Sequence, residues 1–252
     1  MIERFPIHFD PSQDERVVSV HLPEDYAQSQ ERYPVMYMFD GQNAFESQSD
    51  SYDGTWNLHR FLMRWEKGMI VVALASSAEA DRRMAEYSPF PLAGDAWGGL
   101  SARGEQTIDW LVHTLKPAVD ARYRTLADRA CTGVMGASMG ALMSLYAVTR
   151  RNDVFSKAAC VSPACEMCQK ELKKALDGMW LDSDTRIYLS QGADEARDKP
   201  SLAALAAGML DLSNRLTRCG ARVYPFLQER GRHCEADWSL QAPEFMRFLW
   251  ME

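Results

Sequence analysis

Residues 132–145, TGVMGASMGALMSL, constrain this chain more than any other stretch. The segment opens apolar, passes through Gly136-Ala137-Ser138-Met139-Gly140, and continues with small and apolar residues at helical spacing. It is a G-x-S-x-G sequence with the context its chemistry needs, a strand before it and a helix after it. A sharp strand-to-helix turn holds the Ser138 hydroxyl out in strained backbone geometry, and Gly136 and Gly140 leave room for the close approach. The helix that follows aims unpaired N–H groups at the charge that forms when Ser138 attacks a carbonyl.

Strands and helices alternate around that turn. Residues 16–22 alternate apolar and polar side chains at period two, which predicts an edge or antiparallel strand. The unbroken apolar runs at 33–39 and 68–75 predict buried strands, the first ending in a turn at Asp40-Gly41-Gln42-Asn43. Residues 76–103 read as one long irregular loop, rich in polar residues, Gly and Pro. Further strands are predicted at 130–135, 157–161, 186–190 and 221–227. Helices are predicted at 105–120, 166–179, 203–219 (closed by Gly220) and 235–250. This order implies right-handed crossovers and an α/β fold with a mostly parallel central sheet, helices on both faces and no separate large cap domain. No repeat or linker divides the chain, so residues 1–252 are expected to form a single domain. Reactive groups of such a sheet gather at the carboxyl ends of its strands, here the loops at 40–43, 138, 192–195 and 233.

Composition narrows the partners. A formal charge of −7 with no block of Lys and Arg argues against nucleic acid and against an anionic membrane. No apolar run reaches membrane-spanning length, and the first residues lack a basic-then-apolar signal pattern. The six cysteines are scattered through apolar and helical contexts, as reduced thiols of a cytoplasmic protein would be.

A serine hydroxyl needs a base to take its proton and a third group to orient that base. Of the five histidines, His8 and His21 fall in N-terminal strands and His59 and His113 in helix-like stretches. His233 instead follows the last strand in a Gly-containing loop, and it comes late enough to leave a strand and a helix for an acid between it and Ser138. The acid is expected after the intervening strand, in Gln191-Gly192-Ala193-Asp194-Glu195, where spacing does not choose between Asp194 and Glu195. Two backbone donors are needed for an oxyanion: Met139, after the serine, and the early Gly41-Gln42 loop.

Taken together, these segments resemble the Putative esterase family of α/β-hydrolases, which includes enterochelin-esterase-like, feruloyl and acetylxylan esterases and esterase D. The resemblance runs from about residue 33 to 249. It covers residues 33–43 (YPVMYMFDGQN), Arg83-Met84-Ala85-Glu86-Tyr87-Ser88-Pro89, Leu115-Lys116-Pro117, Tyr123-Arg124-Thr125, Met135-Gly136-Ala137-Ser138-Met139-Gly140, Ser162-Pro163 and His233-Cys234-Glu235-Ala236-Asp237-Trp238. It implies the α/β-hydrolase fold, with Ser138 as nucleophile, His233 as base and Gln42 with Met139 as oxyanion donors. It favours Glu195 over Asp194 as the acid. It further implies that Arg83 faces substrate, the alternative being a loop-bracing pair with Glu86.

The chain departs from the family's pattern at Ala141, where a second glycine often follows the elbow, and at Ala164-Cys165-Glu166-Met167-Cys168, where relatives carry bulky aromatics. Residues 164–168, Cys165 above all, are therefore expected to line an acyl or alcohol pocket opposite the Arg83 loop. The Cys-rich early loop of S-formylglutathione hydrolases is missing. The resulting expectation is a serine carboxylic ester hydrolase acting on a small-molecule ester through an acyl-serine intermediate, with no cofactor and no metal; self-association is left open. The alternatives are a siderophore esterase cleaving an enterochelin-like trilactone, an acyltransferase, a binding module that has lost activity, and a redox or metal role for Cys165-x-x-Cys168.

Overall fold

The apolar runs at 33–39, 68–75 and 130–135 become the three central strands of one sheet. The computed structural model describes residues 1–45, 54–92 and 99–251. Its strands are β1 (Ile2–Phe9), β2 (Asp14–His21), β3 (Val35–Met38), β4 (Ile70–Leu74), β5 (Thr132–Ala137), β6 (Lys157–Val161), β7 (Arg186–Gly192) and β8 (Arg222–Gln228). They lie in the order β1-β2-β4-β3-β5-β6-β7-β8. The β1–β2 and β2–β4 pairs are antiparallel and all others parallel. Every residue of β3, β4 and β5 is buried, since helices cover both faces.

The helices are α1 (Leu58–Leu62), α2 (Ala80–Glu86), α3 (Gly104–Trp110), α4 (Lys116–Arg122), α5 (Met139–Arg150), α6 (Gln169–Leu176), α7 (Lys199–Arg218), α8 (Glu235–Ser239) and α9 (Ala242–Trp250). A π-helical turn, Leu111–Leu115, joins α3 to α4. Strand alternation divides the core in two. Val134 of β5 faces the cluster built by α2 to α7, while Met135 and Ala137 face the one built by α1, α8 and α9. Helix α5 is buried from Met139 to Thr149, which fixes the segment after Ser138 against the sheet.

The strand read at 16–22 is antiparallel to both β1 and β4, and β1 forms the edge of the sheet. Two expectations are corrected. The stretch 76–103 contains α2, and residues 93–98 of it lie outside the described residues. The terminal helix is two helices, α8 and α9. Pro243 stands in the first turn of α9, and buried Gln241 accepts from Tyr188 Oη (3.0 Å) and donates to Gln228 Oε1 (2.6 Å). Both edges of the sheet contain a proline, Pro6 in β1 and Pro225 in β8.

His21 ends β2 inside the second core, its ring 5.3 Å from that of His59 and 6.1 Å from that of Phe45. Burial, with the Met1 amino group and His59 adding to it, pushes its imidazole down to about 3. In the unfolded chain a histidine takes up its proton near 6.5, so as pH falls below that value the unfolded state gains the proton first and stability is lost down to about 3. His21→Leu is expected to remove about 2 kcal/mol of the stability loss between pH 6.5 and 5, read by urea denaturation at the two pH values. An unchanged pH dependence in the variant would contradict the buried, neutral imidazole.

Candidate active site

Ser138 occupies the turn between β5 and α5 with φ 54° and ψ −120°, a conformation that side chains other than glycine seldom adopt. The turn is possible because a Cβ on Gly136 would stand 2.6 Å from the Gly140 carbonyl carbon. Neighbouring backbone holds it: Ser138 N–H donates to the Val161 carbonyl (3.0 Å), and Ala164 N–H donates to the Ser138 carbonyl (3.2 Å). Met139 is the first residue of α5, where a helix leaves its N–H groups without intrahelical partners.

Glu195 ends a short 3₁₀ turn, Ala193–Glu195, at the carboxyl end of β7. Its Oε2 lies 2.8 Å from His233 Nδ1. Its Oε1 accepts from Ser162 Oγ (2.6 Å) and Gly192 N–H (2.9 Å). Burial pushes the Glu195 carboxyl up, but the bonds from His233, Ser162 and Gly192 outweigh it and hold the group below its ordinary value. An ionised carboxylate only accepts, so His233 carries its proton on Nδ1 and leaves Nε2 as the acceptor. Asp194 is exposed and meets the same loop only through its N–H, which donates to the Gly231 carbonyl (2.9 Å). The structure therefore brings Glu195 onto the histidine.

The loop carrying His233 is braced from α8. Trp238 meets the imidazole edge to face, with ring centroids 4.8 Å apart, and packs on Trp56 at 6.1 Å. Asp237 accepts from the backbone N–H of Arg232 (2.8 Å) and from its Nε (2.9 Å). Glu235 accepts from Asn43 Nδ2 (2.9 Å), which ties the histidine loop to the loop after β3.

That early loop bends sharply. Asp40 sits at φ 56°, and Gly41–Asn43 form a 3₁₀ turn pressed so closely on β4 that a Cβ at Gly41 would overlap the Ala73 carbonyl carbon. The Gln42 side chain exchanges two hydrogen bonds with Ser76, each 3.1 Å, so its amide is committed away from the backbone N–H. Arg83 of α2 forms a bidentate pair with Asp40, Nε to Oδ1 and Nη2 to Oδ2, both 2.7 Å, and stacks over Tyr87. Glu86, expected as its alternative partner, is instead buried against Arg16 (2.5 Å) and Ser12 (2.5 Å).

Ser138, His233, Gln42 and Arg83 line one cavity of about 300 Å³, together with Asp40 and Glu235. Cys165 lines another of about 560 Å³, which His233 and Glu195 also border. Arg83 and Cys165 thus belong to different cavities that meet at His233, not to opposite walls of one. Cys168 is buried in the core, and burial pushes its thiol up to about 12 and raises that of Cys165 as well. Neither thiol is favoured as a thiolate nucleophile or metal ligand. Among the described residues, no three His, Cys, Asp or Glu side chains are grouped to hold a metal ion. The contacts of Asp40 with Arg83 and of Ser162 with Glu195 are not legible in the sequence. The left-handed backbone of both (Ser162 at φ 46°) directs them, and nothing in their local sequence announces it.

The sequence matches the Putative esterase family over residues 12–248. The uncharacterized protein YbbA of Bacillus subtilis (strain 168) is 21% identical over 193 residues, 74% of this chain and 72% of that protein. Among solved structures, an IroE-like serine hydrolase from Shewanella oneidensis superposes with a TM-score of 0.76 at 18% identity, covering 98% of this chain and 80% of that one. The siderophore hydrolase EstB from Aspergillus nidulans superposes with a TM-score of 0.74 at 17% identity, covering 99% and 95%. The two structural likenesses bear on the fold, and the family match, spanning nearly the whole sequence, bears on the activity: the chain belongs to the Putative esterase family and is an esterase of the α/β-hydrolase fold.

Proposed function

We propose that the chain hydrolyses carboxylic esters through an acyl-serine intermediate, with Ser138 as nucleophile, His233 as general base and Glu195 as the group that orients it. The observation that carries this reading is the 2.8 Å bond from His233 Nδ1 to a carboxylate already held by two other donors, beside a cavity that the strained Ser138 also lines. Neutral Nε2 takes the Ser138 proton as Oγ attacks the ester carbonyl. The backbone N–H groups of Gln42 and Met139 receive the oxyanion. The imidazolium, stabilised by Glu195, returns the proton to the leaving alcohol, and water then repeats the sequence on the acyl-serine. The mechanism asks for no cofactor.

Asp40 neutralises Arg83, and Glu235 adds a negative charge to the same cavity, so the arrangement suits an uncharged, hydrogen-bonding acyl group better than an anionic one. Arg83 then acts mainly by fixing Asp40 and the Gln42 turn behind it. A second reading, hydrolysis of a siderophore ester, is favoured by the likeness in fold to EstB, and turnover of enterobactin against p-nitrophenyl acetate separates the two. Among the described residues no helix is long and apolar enough to cross a membrane, and all six cysteines are free thiols; the latter supports the reducing cytoplasm as the place of action.

Ser138→Ala is expected to lower ester turnover by about 10⁴- to 10⁶-fold and to abolish labelling by a fluorophosphonate. Labelling that survives in the folded variant would remove Ser138 from the role. Glu195→Gln should cost about 10⁴-fold in kcat, because an amide supports the wrong tautomer, while Asp194→Asn should stay within about twofold. The opposite ranking would give the acid's role to Asp194. Arg83→Ala is expected to lower turnover of ethyl acetate and monoethyl succinate alike, by about ten- to a hundredfold, as the oxyanion loop loosens. A loss confined to the anionic ester would mean that Arg83 contacts substrate directly.

A further inference from the structure

The larger of the two cavities is not the one that Ser138 lines. It lies between α6 and α7, is about 560 Å³, and is walled by Leu172, Leu189, Leu205, Met209 and Leu212, with His233 and Glu195 bordering it as well. Volumes of this size belong to pockets that enclose small organic ligands. Lys173, a charged residue on its border, is paired with Asp211 at 2.9 Å, a link that also joins α6 to α7.

Helix α7 is built around this space. All of its buried residues, Met209, Leu212, Ser213 and Leu216, fall in its second half. In the first half, Ala204, Leu205 and Gly208 line the cavity. Gly208 stands in the middle of a 20-residue helix, where glycine is a poor helix former, and a Cβ added there would meet nothing within 4 Å. A larger apolar side chain at this position would both favour the helix and fill the void.

We propose that this cavity binds an apolar arm, aliphatic or aryl, on the alcohol side of the ester. The inference rests on the Ser138–His233–Glu195 reading. In that mechanism the leaving oxygen must meet His233 to receive its proton, whereas the acyl carbon is bonded to Ser138. His233 borders both cavities and Ser138 only the smaller one. A chain carried by the leaving oxygen passes from His233 into the apolar space, and the acyl group stays with Gln42 and Arg83. Cys165, in the wall of the larger cavity, thus contacts the alcohol rather than the acyl group.

The test compares kcat/KM for ethyl acetate and for two isomers, hexyl acetate and ethyl hexanoate, which carry the same arm on opposite sides of the ester. Hexyl acetate is expected to exceed ethyl acetate by roughly tenfold or more, the scale of discrimination in a fitted apolar pocket. Gly208→Leu should bring the hexyl-to-ethyl acetate ratio close to one, while Ala207→Leu, at an exposed position of the same helix, keeps the wild-type ratio. Leucine is a better helix former than glycine and nearly as good as alanine, so both variants keep the helix, and a thermal melt shows that each is folded. A hexyl acetate rate no better than that of ethyl acetate, or a preference that survives Gly208→Leu, overturns the proposal. An advantage for ethyl hexanoate that Gly208→Leu removes overturns the assignment to the alcohol side. Turnover of ethyl acetate that persists in Ser138→Ala overturns the underlying mechanism, whatever the Gly208 variant does.

Discussion

The backbone at Ser138 is the constraint on which the rest of the site depends. A residue with a side chain at φ 54° is held there against a preference of about 1–3 kcal/mol, and it persists only where surrounding structure over-determines it. Here β6 does so from one side through Val161 and the segment after Ser162 from the other through Ala164, while the buried helix α5 anchors the exit. The parallel pairing of β5 with β6 therefore sets the position of the Ser138 turn as much as its own residues do.

The remaining groups come from loops far apart in sequence, and short polar links set their positions. Asn43 and Glu235, 192 residues apart, join the early loop to the histidine loop. Asp40 and Arg83 join that early loop to α2, and Ser162 joins the end of β6 to Glu195. Each link involves an ionised group at least partly withdrawn from water, where a hydrogen bond to charge is stronger than one between neutral partners. The His233–Glu195 pair is thereby oriented from both neighbouring strand ends. Trp238 completes the support by limiting the rotation of the imidazole.

Much of this was legible in the sequence because it is local. The strand–Gly-x-Ser-x-Gly–helix pattern identified Ser138, and unbroken apolar runs identified β3, β4 and β5, since strands covered on both faces need no polar side. Position in the chain singled out His233, which lines the same cavity as Ser138. Spacing could not separate Asp194 from Glu195, because adjacent residues on a turn differ only in direction; resemblance to the family pointed to Glu195, the one of the two that contacts His233. Arg83 was visible, but its partner was not. Asp40 lies 43 residues earlier, and only the order of the strands brings the two together. Pro243 marks the start of α9, although the helical periodicity of 235–250 runs on across the break. The α6–α7 cavity is a property of packing: the departure at residues 164–168 pointed to a pocket beside Cys165, but not to the wall that α7 supplies.

The two prolines at the sheet's margins have a consequence for the protein's life in a crowded solution. An open sheet presents unpaired backbone groups at each outer strand, and these template the addition of further strands from other molecules. In β1 and β8, Pro6 and Pro225 each remove one backbone donor, and proline is accommodated in a sheet where its missing N–H would have faced outward. Both margins therefore offer an interrupted ladder to an incoming chain. The eight-stranded sheet is capped against indefinite growth at its two ends, and the cap is independent of the residues that surround the active site.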